Sequence, residues 1–546
     1  MSQLIVNSKE SWVADSIDGS LYTSKYNNIS KIEFGDGSNI VARNDWDKSK
    51  VAIICGGGSG HEPAHAGFVG KGMLTAAVCG NIFAAPNVDA VLNAIVHVTG
   101  DAGCLVVIKN YTGDRLNFGL ACERAKDMGL KVDMVIVNDD ISIPSNPQPR
   151  GIAGTLFVNK LAGFLSEKGE SLESIKENVQ KAIKDTHSIG VAITSCNLPE
   201  QTSDKSILPG TAELGLGIHG ESGIEVIQNI KSKLLVQVMI QKLLLAQEDS
   251  QAPLAVIINN LGGLSPIEMN VVAKDIFESE LSNRIKLVVG PDTLMTAIDM
   301  KGFSISILAL DEVRHEALIA ETQTQAWSGA REPHSRSVLN SVNHAKKTQY
   351  EPSENDHVKG ILLRVCNKIV GMEESLNNLD AIVGDGDTGS TFAAGAKSIL
   401  RRIDLNDLPL NDTALLLMVI GEKLSKSMGG SSGVLLSIFF TTASRHYSIR
   451  NCLVSAFQAG LATMMEYGGA KVGDRTMIDA LYPALEAWKE KGFSAAVLAA
   501  ANGAEGTVDM TKAKAGRSSY LSTASLIGTK DPGSYAIEMM FKSVID

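Results

Sequence analysis

The sequence predicts two architectures in one chain: an α/β region of two lobes over residues 1–327 and an all-α region over 355–546, joined by a linker at 328–354. Three observations carry this. Between residues 50 and 310, short apolar runs rich in Val and Ile alternate with helical patterns, the signature of α/β folding. From 328 to 354 the sequence SGAREPHSRSVLNSVNHAKKTQYEPSE is polar, holds two prolines and has no apolar period. Beyond it Val358, Ile361, Leu362, Val365, Ile369, Met372, Leu376 and Leu379 recur at three- and four-residue steps.

In chain order, the strand candidates are VAIIC from Val51, LTAAVC from Leu74, CLVVIKN from Cys104, VDMVIVND from Val132 and SIGVAITSC from Ser188. LAVIINN from Leu254, IKLVVG from Ile285 and FSISILAL from Phe303 follow. Most are apolar throughout rather than alternating, which suits strands buried on both faces of a sheet. Leu116 to Met128 and Gly151 to Leu165 carry helical periodicity between them. The long helical and polar interval from Cys196 to Leu254 divides the region into two lobes near residue 190. The linker, about 25 flexible residues, would span ~25–30 Å by coil statistics, enough to swing one domain onto another.

A chain of 546 residues exceeds one core and calls for several domains. A formal net charge of -11 argues against nucleic acid or an anionic membrane surface as a partner, since counterion release needs clustered Lys and Arg. The N-terminus MSQLIVNSKESW lacks a basic segment followed by an apolar run, and no uncharged apolar stretch approaches the ~18 residues of a membrane span. Seven cysteines without a CxxC pair give neither a disulfide framework nor a zinc site. Cys55, Cys79 and Cys104, in apolar strand-like runs, read as buried free thiols. The expected location is the cytoplasm.

Chemistry concentrates in a few short stretches. LDAIVGDGDTGSTF, Leu379 to Phe392, gathers Asp380, Asp385 and Asp387 within eight residues on a Gly-rich turn, a hard oxygen donor set suited to Mg²⁺. It is not an EF-hand: counted from Asp385, the fifth and twelfth positions are Gly389 and Ala396, where ligands are required. The same stretch also fits a turn in which Ser390 or Thr391 caps the next helix.

CGGGSGHEPAH, Cys55 to His65, follows a strand; Gly56, Gly57, Gly58 and Gly60 permit close backbone approach to a ligand, though the spacing is neither GxGxxG nor a P-loop. KNYTGDRLNFG, Lys109 to Gly119, offers Asp114 as a general base and Lys109 as a donor at the sheet edge, or Asp114 as the cap of a helix beginning near Leu116. LGLGIHGESG, Leu214 to Gly223, presents His219 between glycines. MGGSSG, Met428 to Gly433, places the amides of Gly430, Ser431 and Ser432 at a helix start, where phosphate oxygens bind. GDRTMIDAL from Gly473 and AGRSSYL from Ala515 bring Arg475 and Arg517 beside small or hydroxylated residues, both able to meet phosphates.

Taken together with NNLGG at Asn259 and GPDTLMTAIDMKGFS at Gly290, this ordered set resembles the single-chain, ATP-dependent dihydroxyacetone (glycerone) kinases over essentially the whole length. The resemblance implies a substrate-binding K domain of two α/β lobes and an ATP-binding L domain that is a barrel of helices. It makes His219 the residue whose imidazole nitrogen adds to the ketone carbonyl, holding the triose as a hemiaminal, a capture open to a carbonyl and closed to glycerol. Asp114 would take the proton of the attacking hydroxyl, with His61 supporting that step and Gly58, Ser59 and Lys109 contacting substrate. Asp380, Asp385 and Asp387 would hold Mg²⁺ on the ATP phosphates, and Thr388, Ser390, Thr391, Gly430, Ser431, Ser432, Met477 and Arg517 would bind ATP. D-glyceraldehyde is a further expected substrate, and a homodimer through the K domain is expected. Since His219 attacks as neutral imidazole, activity is expected to fall below the ordinary His pKa of about 6.5. Two other outcomes are a lyase activity that splits FAD into AMP and a cyclic flavin phosphate, and a non-enzymatic triose sensor; the three aspartates disfavour the sensor.

Overall fold

The computed structural model describes residues 4–545 except 35–36, 145, 197–206, 222, 340–348 and 515–525. The chain divides into two compact units, Met1–Val338 and Leu339–Asp546.

Among the described residues the first unit holds two six-stranded sheets. Strands β1 (Ile29–Ile32), β2 (Asn39–Arg43), β3 (Ala52–Ser59), β4 (Ala76–Ile82), β5 (Cys104–Lys109) and β6 (Val132–Val137) form one, in the order β1-β2-β4-β3-β5-β6. β4, β3, β5 and β6 are parallel, so the ends of β3 and β5 open onto one carboxyl edge, where open α/β sheets bind ligands. Helices α1 (Trp12–Tyr22), α2 (Val88–Val98), α3 (Thr112–Asp127), α4 (Thr155–Glu167) and α5 (Leu172–Lys184) belong to this part of the chain.

The second sheet comprises β7 (Thr186–Ala192), β8 (Ala212–Leu214), β9 (Glu225–Ile227), β10 (Leu254–Asn260), β11 (Ile285–Asp292) and β12 (Gly302–Ala309), ordered β11-β10-β12-β7-β8-β9. Among the described residues of this sheet, only β10 and β11 pair in parallel; β12 runs antiparallel to both β10 and β7. Helices α6 (Ser232–Ala246), α7 (Pro266–Phe277) and α8 (Glu312–Ile319) complete the unit.

The continuous apolar runs have a direct cause. On β3, Ala52 and Ile54 pack in one core with Val91, Ile95 and Phe118, while Ile53 and Cys55 pack on the opposite face with Leu156 and Phe157 of α4. β10 repeats this: Val256 and Ile258 face one core, and Ala255 and Ile257 join the core that also contains α4. Both faces being buried, polar alternation has no place. The strands that sequence reasoning passes over, β1, β2, β8 and β9, lie toward sheet edges and are short or partly exposed, so they carry no such run. Two of them, β8 and β9, fall in the interval between Cys196 and Leu254 that reads as helical and polar from sequence.

The stretch expected as a linker is tied down at both ends. Val288 and Arg331 exchange backbone hydrogen bonds of 2.8 and 3.0 Å, and Ser353 N–H donates to the Leu408 carbonyl at 3.0 Å. The middle of the expected linker, 340–348, lies outside the described residues.

The second unit is helical among the described residues: α9 (Asp356–Gly371), α10 (Glu373–Val383), α11 (Thr388–Asp404), α12 (Thr413–Ser427), α13 (Gly430–Arg450), α14 (Leu453–Gly468), α15 (Ile478–Lys491), α16 (Phe493–Gly506) and α17 (Pro532–Ile545). The periodic run from Val358 to Leu379 is two helices, broken at Gly371–Met372. α9, α11, α12, α13, α14, α15, α16 and α17 pack each on the next, and α17 returns to α9, closing a barrel of helices. It surrounds an apolar cavity of about 530 Å³ lined by Phe392, Phe439, Trp488 and Phe541 among others. Among the described residues no helix is long and apolar enough to cross a membrane.

Candidate active site

The Gly-rich end of β3 and the start of α3 build the first site. A Cβ at Gly58 would lie 2.7 Å from the Ala84 nitrogen, so only glycine lets this backbone pass. Gly57, at φ +137°, leaves open a space that a side chain would fill: its Cβ would stand 2.9 Å from Lys109 Nζ and 3.3 Å from Asp114 Oδ2. Ser59 donates its hydroxyl to the Gly80 carbonyl at 2.7 Å, pinning β3 to β4. Asp114 is not a helix cap: α3 begins at Thr112 after Tyr111, and Asp114 lies inside the first turn, aimed at the Gly57 space. Burial raises its carboxyl above the usual range, with Lys109 and His219 pulling it back.

His61 and His219, 158 residues apart, meet with their Nε2 atoms 3.1 Å apart. The other nitrogen of each is committed. His61 Nδ1–H donates to the Thr296 carbonyl at 2.8 Å, and His219 Nδ1 lies 3.1 Å from Glu221 Oε1, which accepts its proton. Glu221 Oε2 also accepts the His219 backbone N–H at 3.0 Å. These partners fix the tautomers: each ring keeps Nδ1–H and turns Nε2 toward the other. Burial first, then the Lys109 charge and His219, hold His61 well below its ordinary pKa, so it stays neutral and basic at Nε2. Burial alone would raise the Glu221 carboxyl, but its hydrogen bonds and its pairing with His219 hold it down at about 2. Phe83 and Tyr111 wall the His219 ring, with centroids 5.2 and 4.6 Å away.

The loop holding His61 is tied to the second sheet. Thr296 N–H donates to the His61 carbonyl at 3.1 Å and Ile298 N–H to the Gly60 carbonyl at 2.8 Å. That loop is itself fixed by fully buried Asn259 on β10. Asn259 Oδ1 accepts the Leu294 and Met295 N–H groups, and its amide donates to the Met295 carbonyl and Ser304 Oγ. The amide side chain thus uses both its acceptor and its donor capacity.

In the second unit, Asp380, Asp385 and Asp387 offer carboxylate oxygens that all lie within 4.8 Å of one another. Asp380 is buried at the end of α10 and accepts the Asp387 and Thr388 N–H groups through Oδ2 at 2.9 and 3.0 Å, folding the GDGD turn back over itself. Three hard carboxylates with two of them exposed fit Mg²⁺ and not a soft thiophilic metal. Neither Ser390 nor Thr391 caps α11. Its N-cap is Asp387, while Ser390 exchanges amide and hydroxyl bonds with Asn377 at 3.0 Å.

α13 starts at Gly430 after Gly429, so the amides of Gly430, Ser431 and Ser432 form its first turn, and the preceding Met428 packs against Gly395 of α11. Met477 sits before α15, where a Cβ on Gly533 of α17 would touch it at 3.4 Å. Arg475 differs from expectation. It is 1% exposed, with Nη2 donating to the Thr529 carbonyl at 2.7 Å; it anchors the loop from inside rather than meeting a phosphate. Arg517 lies outside the described residues; Ala513 and Leu526, on either side of that segment, pack on Val383 beside the aspartate turn.

Sequence reasoning misses Glu221, Thr296, Asn259, Phe83 and Tyr111 as parts of the first site. Glu221 had a local signal, a carboxylate two residues after His219. The others come together only through the tertiary fold.

Comparison with known proteins places these residues in context. The Dak1 domain model matches residues 23–326 and the DAK2 domain model residues 382–546. The chain is 49% identical to a dihydroxyacetone kinase of Citrobacter freundii, covering 100% of this chain and 99% of the relative. It is 37% identical to the triokinase/FMN cyclase of Mus musculus, covering 100% of this chain and 98% of the relative. The crystal structure of the C. freundii dihydroxyacetone kinase in complex with AMP-PNP and Mg²⁺ superposes with a TM-score of 0.82 at 48% identity, covering 100% of this chain and 99% of that one.

Proposed function

The chain belongs to the single-chain dihydroxyacetone kinase family, a Dak1 and a DAK2 domain fused, and from that premise we propose how its own residues carry the reaction. The activity is ATP-dependent phosphorylation of dihydroxyacetone with Mg²⁺. The observation that carries the residue assignment is the pair of facing Nε2 atoms on His61 and His219, each with its Nδ1 proton held elsewhere.

His219 Nε2 adds its lone pair to the ketone carbon, forming a C–N bond, and the carbonyl oxygen becomes a hydroxyl. The proton on that oxygen comes from solvent, and His61 Nε2, which carries none of its own, accepts a hydrogen bond from the new hydroxyl. The ring gains positive character on alkylation, and Glu221 at Nδ1–H compensates it. Phe83 and Tyr111 restrict the space around the adduct to a small carbonyl compound. Asp114 accepts the proton of the terminal hydroxyl as its oxygen attacks the γ-phosphorus, while Lys109 and the Gly58 backbone orient that hydroxyl. Asp380, Asp385 and Asp387 would hold Mg²⁺, which supplies charge neutralisation on the ATP phosphates. The α11 start at Thr388, Ser390 and Thr391, the α13 amides of Gly430, Ser431 and Ser432, Met477 and Arg517 are proposed to hold ATP.

D-glyceraldehyde fits the same capture chemistry. The family resemblance supports a homodimer through the first unit, and the free thiols among the described residues suit the reducing cytoplasm. Because relatives are named triokinase/FMN cyclase, a second reading is a lyase action on FAD at the metal-nucleotide site, revealed by cyclic flavin phosphate from FAD.

ADP release by the purified full-length protein with Mg-ATP, measured with dihydroxyacetone and with glycerol, tests the reading. Release that depends on dihydroxyacetone and not on glycerol is expected. Equal release with both would remove carbonyl capture from the account.

A further inference from the structure

Behind Lys109, which faces substrate, runs an enclosed polar line through His65 and Cys55, two residues to which the roles above assign nothing. Lys109 is 1% exposed, and its Nζ lies 2.8 Å from His65 Nε2 and 3.3 Å from the Gly56 carbonyl. His65, 3% exposed, places its Nδ1 3.4 Å from the Sγ of Cys55, which is wholly buried in the middle of β3. We propose that His65, seated on Cys55, is a positioning residue that holds the Lys109 ammonium toward the Gly57 space shared with Asp114. This rests on the kinase reading, and it names the group that sets where the substrate-facing lysine points.

The proton count along the line has one consistent solution. An ammonium has three N–H donors and no acceptor, and leaving one buried and unmet is costly. Gly56 takes one, His65 takes a second, and the third remains for the Gly57 space. His65 can accept only if it is neutral with its proton on Nδ1, because an imidazolium offers no acceptor. Burial first, then the Lys109 charge beside it, hold His65 well below its ordinary pKa and keep it neutral. Its Nδ1–H then faces Cys55 Sγ, a thiol that burial pushes up to about 11, so the sulfur stays uncharged and acts as a soft acceptor. A histidine that merely filled the core would not need both nitrogens matched to a charged donor on one side and an acceptor on the other.

The consequence for chemistry passes through Asp114. Lys109 and His219 are the charged or titratable groups acting on Asp114, and His65 itself is faced by Lys109, His61 and Cys55. Lys109 opposes the upward push that burial gives Asp114. Losing the His65 acceptor frees the ammonium to turn from the site, which weakens hydroxyl binding and moves the Asp114 limb to higher pH.

The test uses full-length His65→Leu and His65→Gln, whose Oε1 can still accept from Nζ, with Cys55, Lys109 and Asp114 intact. Steady-state kinetics with dihydroxyacetone and Mg-ATP across pH are expected to show KM for dihydroxyacetone rising ~10-fold or more in His65→Leu, with kcat falling less. The acid limb of kcat/KM moves upward in the same variant, and His65→Gln recovers most of both. A folded His65→Leu, checked by near-UV circular dichroism, with the wild-type KM and limb would overturn the proposal and leave His65 a packing residue. If His65→Leu does not fold, His65→Asn, too short to reach Nζ, takes its place: a KM raised above that of His65→Gln supports the proposal, and equal values overturn it. Wild type without triose-dependent ADP release would instead defeat the kinase reading itself.

Discussion

Replacing Glu221 with Gln probes how the capturing histidine is prepared. The carboxylate accepts two bonds from one residue, the His219 backbone N–H at 3.0 Å and Nδ1 at 3.1 Å. A carboxamide has one oxygen, so one bond is lost and the other falls from charge-assisted to neutral. In a sealed site the two changes would sum to roughly 2–4 kcal/mol. The Glu221 side chain is 40% exposed, so water makes up part of the loss and ~1–2 kcal/mol is the better expectation. At 1.4 kcal/mol per decade this is a ~5- to 30-fold fall in kcat/KM for dihydroxyacetone. Capture precedes phosphoryl transfer, so the loss is expected mainly as a raised KM, with kcat at saturation closer to wild type. Coupled ADP detection over a range of triose concentrations, with ATP saturating, separates the two constants. Glu221→Gln with an unchanged KM and an unchanged kcat/KM would refute the claim that this carboxylate sets the His219 tautomer and compensates the adduct.

Other consequences are as specific. Asp385→Asn should lower the Mg-ATP-dependent rate by ~10²-fold or more while leaving triose capture in the first unit intact, and added EDTA should do the same to wild type. Asn259→Leu should strand the Leu294 and Met295 N–H groups in a dry interior and cost ~2–4 kcal/mol in urea unfolding of the first unit, with His61 losing its support. Because burial raises the Asp114 carboxyl, kcat/KM should decline on the acid side at a pH above the ordinary carboxylate range of about 3.9, the basic form being the active one. Asp114→Asn should lower the rate ~10²- to 10⁴-fold and remove the Asp114 contribution to that limb, and an acid limb unchanged in the variant would assign it elsewhere.

What could be read in advance was whatever the sequence writes locally. The buried central strands announce themselves because both faces of β3 and β10 pack in cores, which leaves unbroken apolar runs such as Ala52–Cys55 and Leu254–Ile258. The GDGD turn and the glycines before His61 and around His219 are equally local, since a turn or a close backbone approach needs those residue types at those positions. The edge strands β1 and β9 were not legible because their exposed residues are free to be polar. Thr296 could not be tied to His61 from sequence, as 235 residues separate them and the link is a backbone carbonyl that any residue supplies. Arg475 shows the converse: an arginine beside small or hydroxylated residues reads as able to meet a phosphate, and only the fold reveals that its guanidinium is buried against the Thr529 carbonyl.

The most direct measurement is carbon-13 NMR of the full-length protein with dihydroxyacetone labelled at the carbonyl carbon, beside His219→Ala. The account predicts that wild type converts the enzyme-bound carbon from a ketone to a tetrahedral resonance with no ATP present, and that His219→Ala, folded, shows only free ketone and hydrate. A tetrahedral enzyme-bound signal that survives in His219→Ala, or its absence from active wild type, would contradict capture on His219.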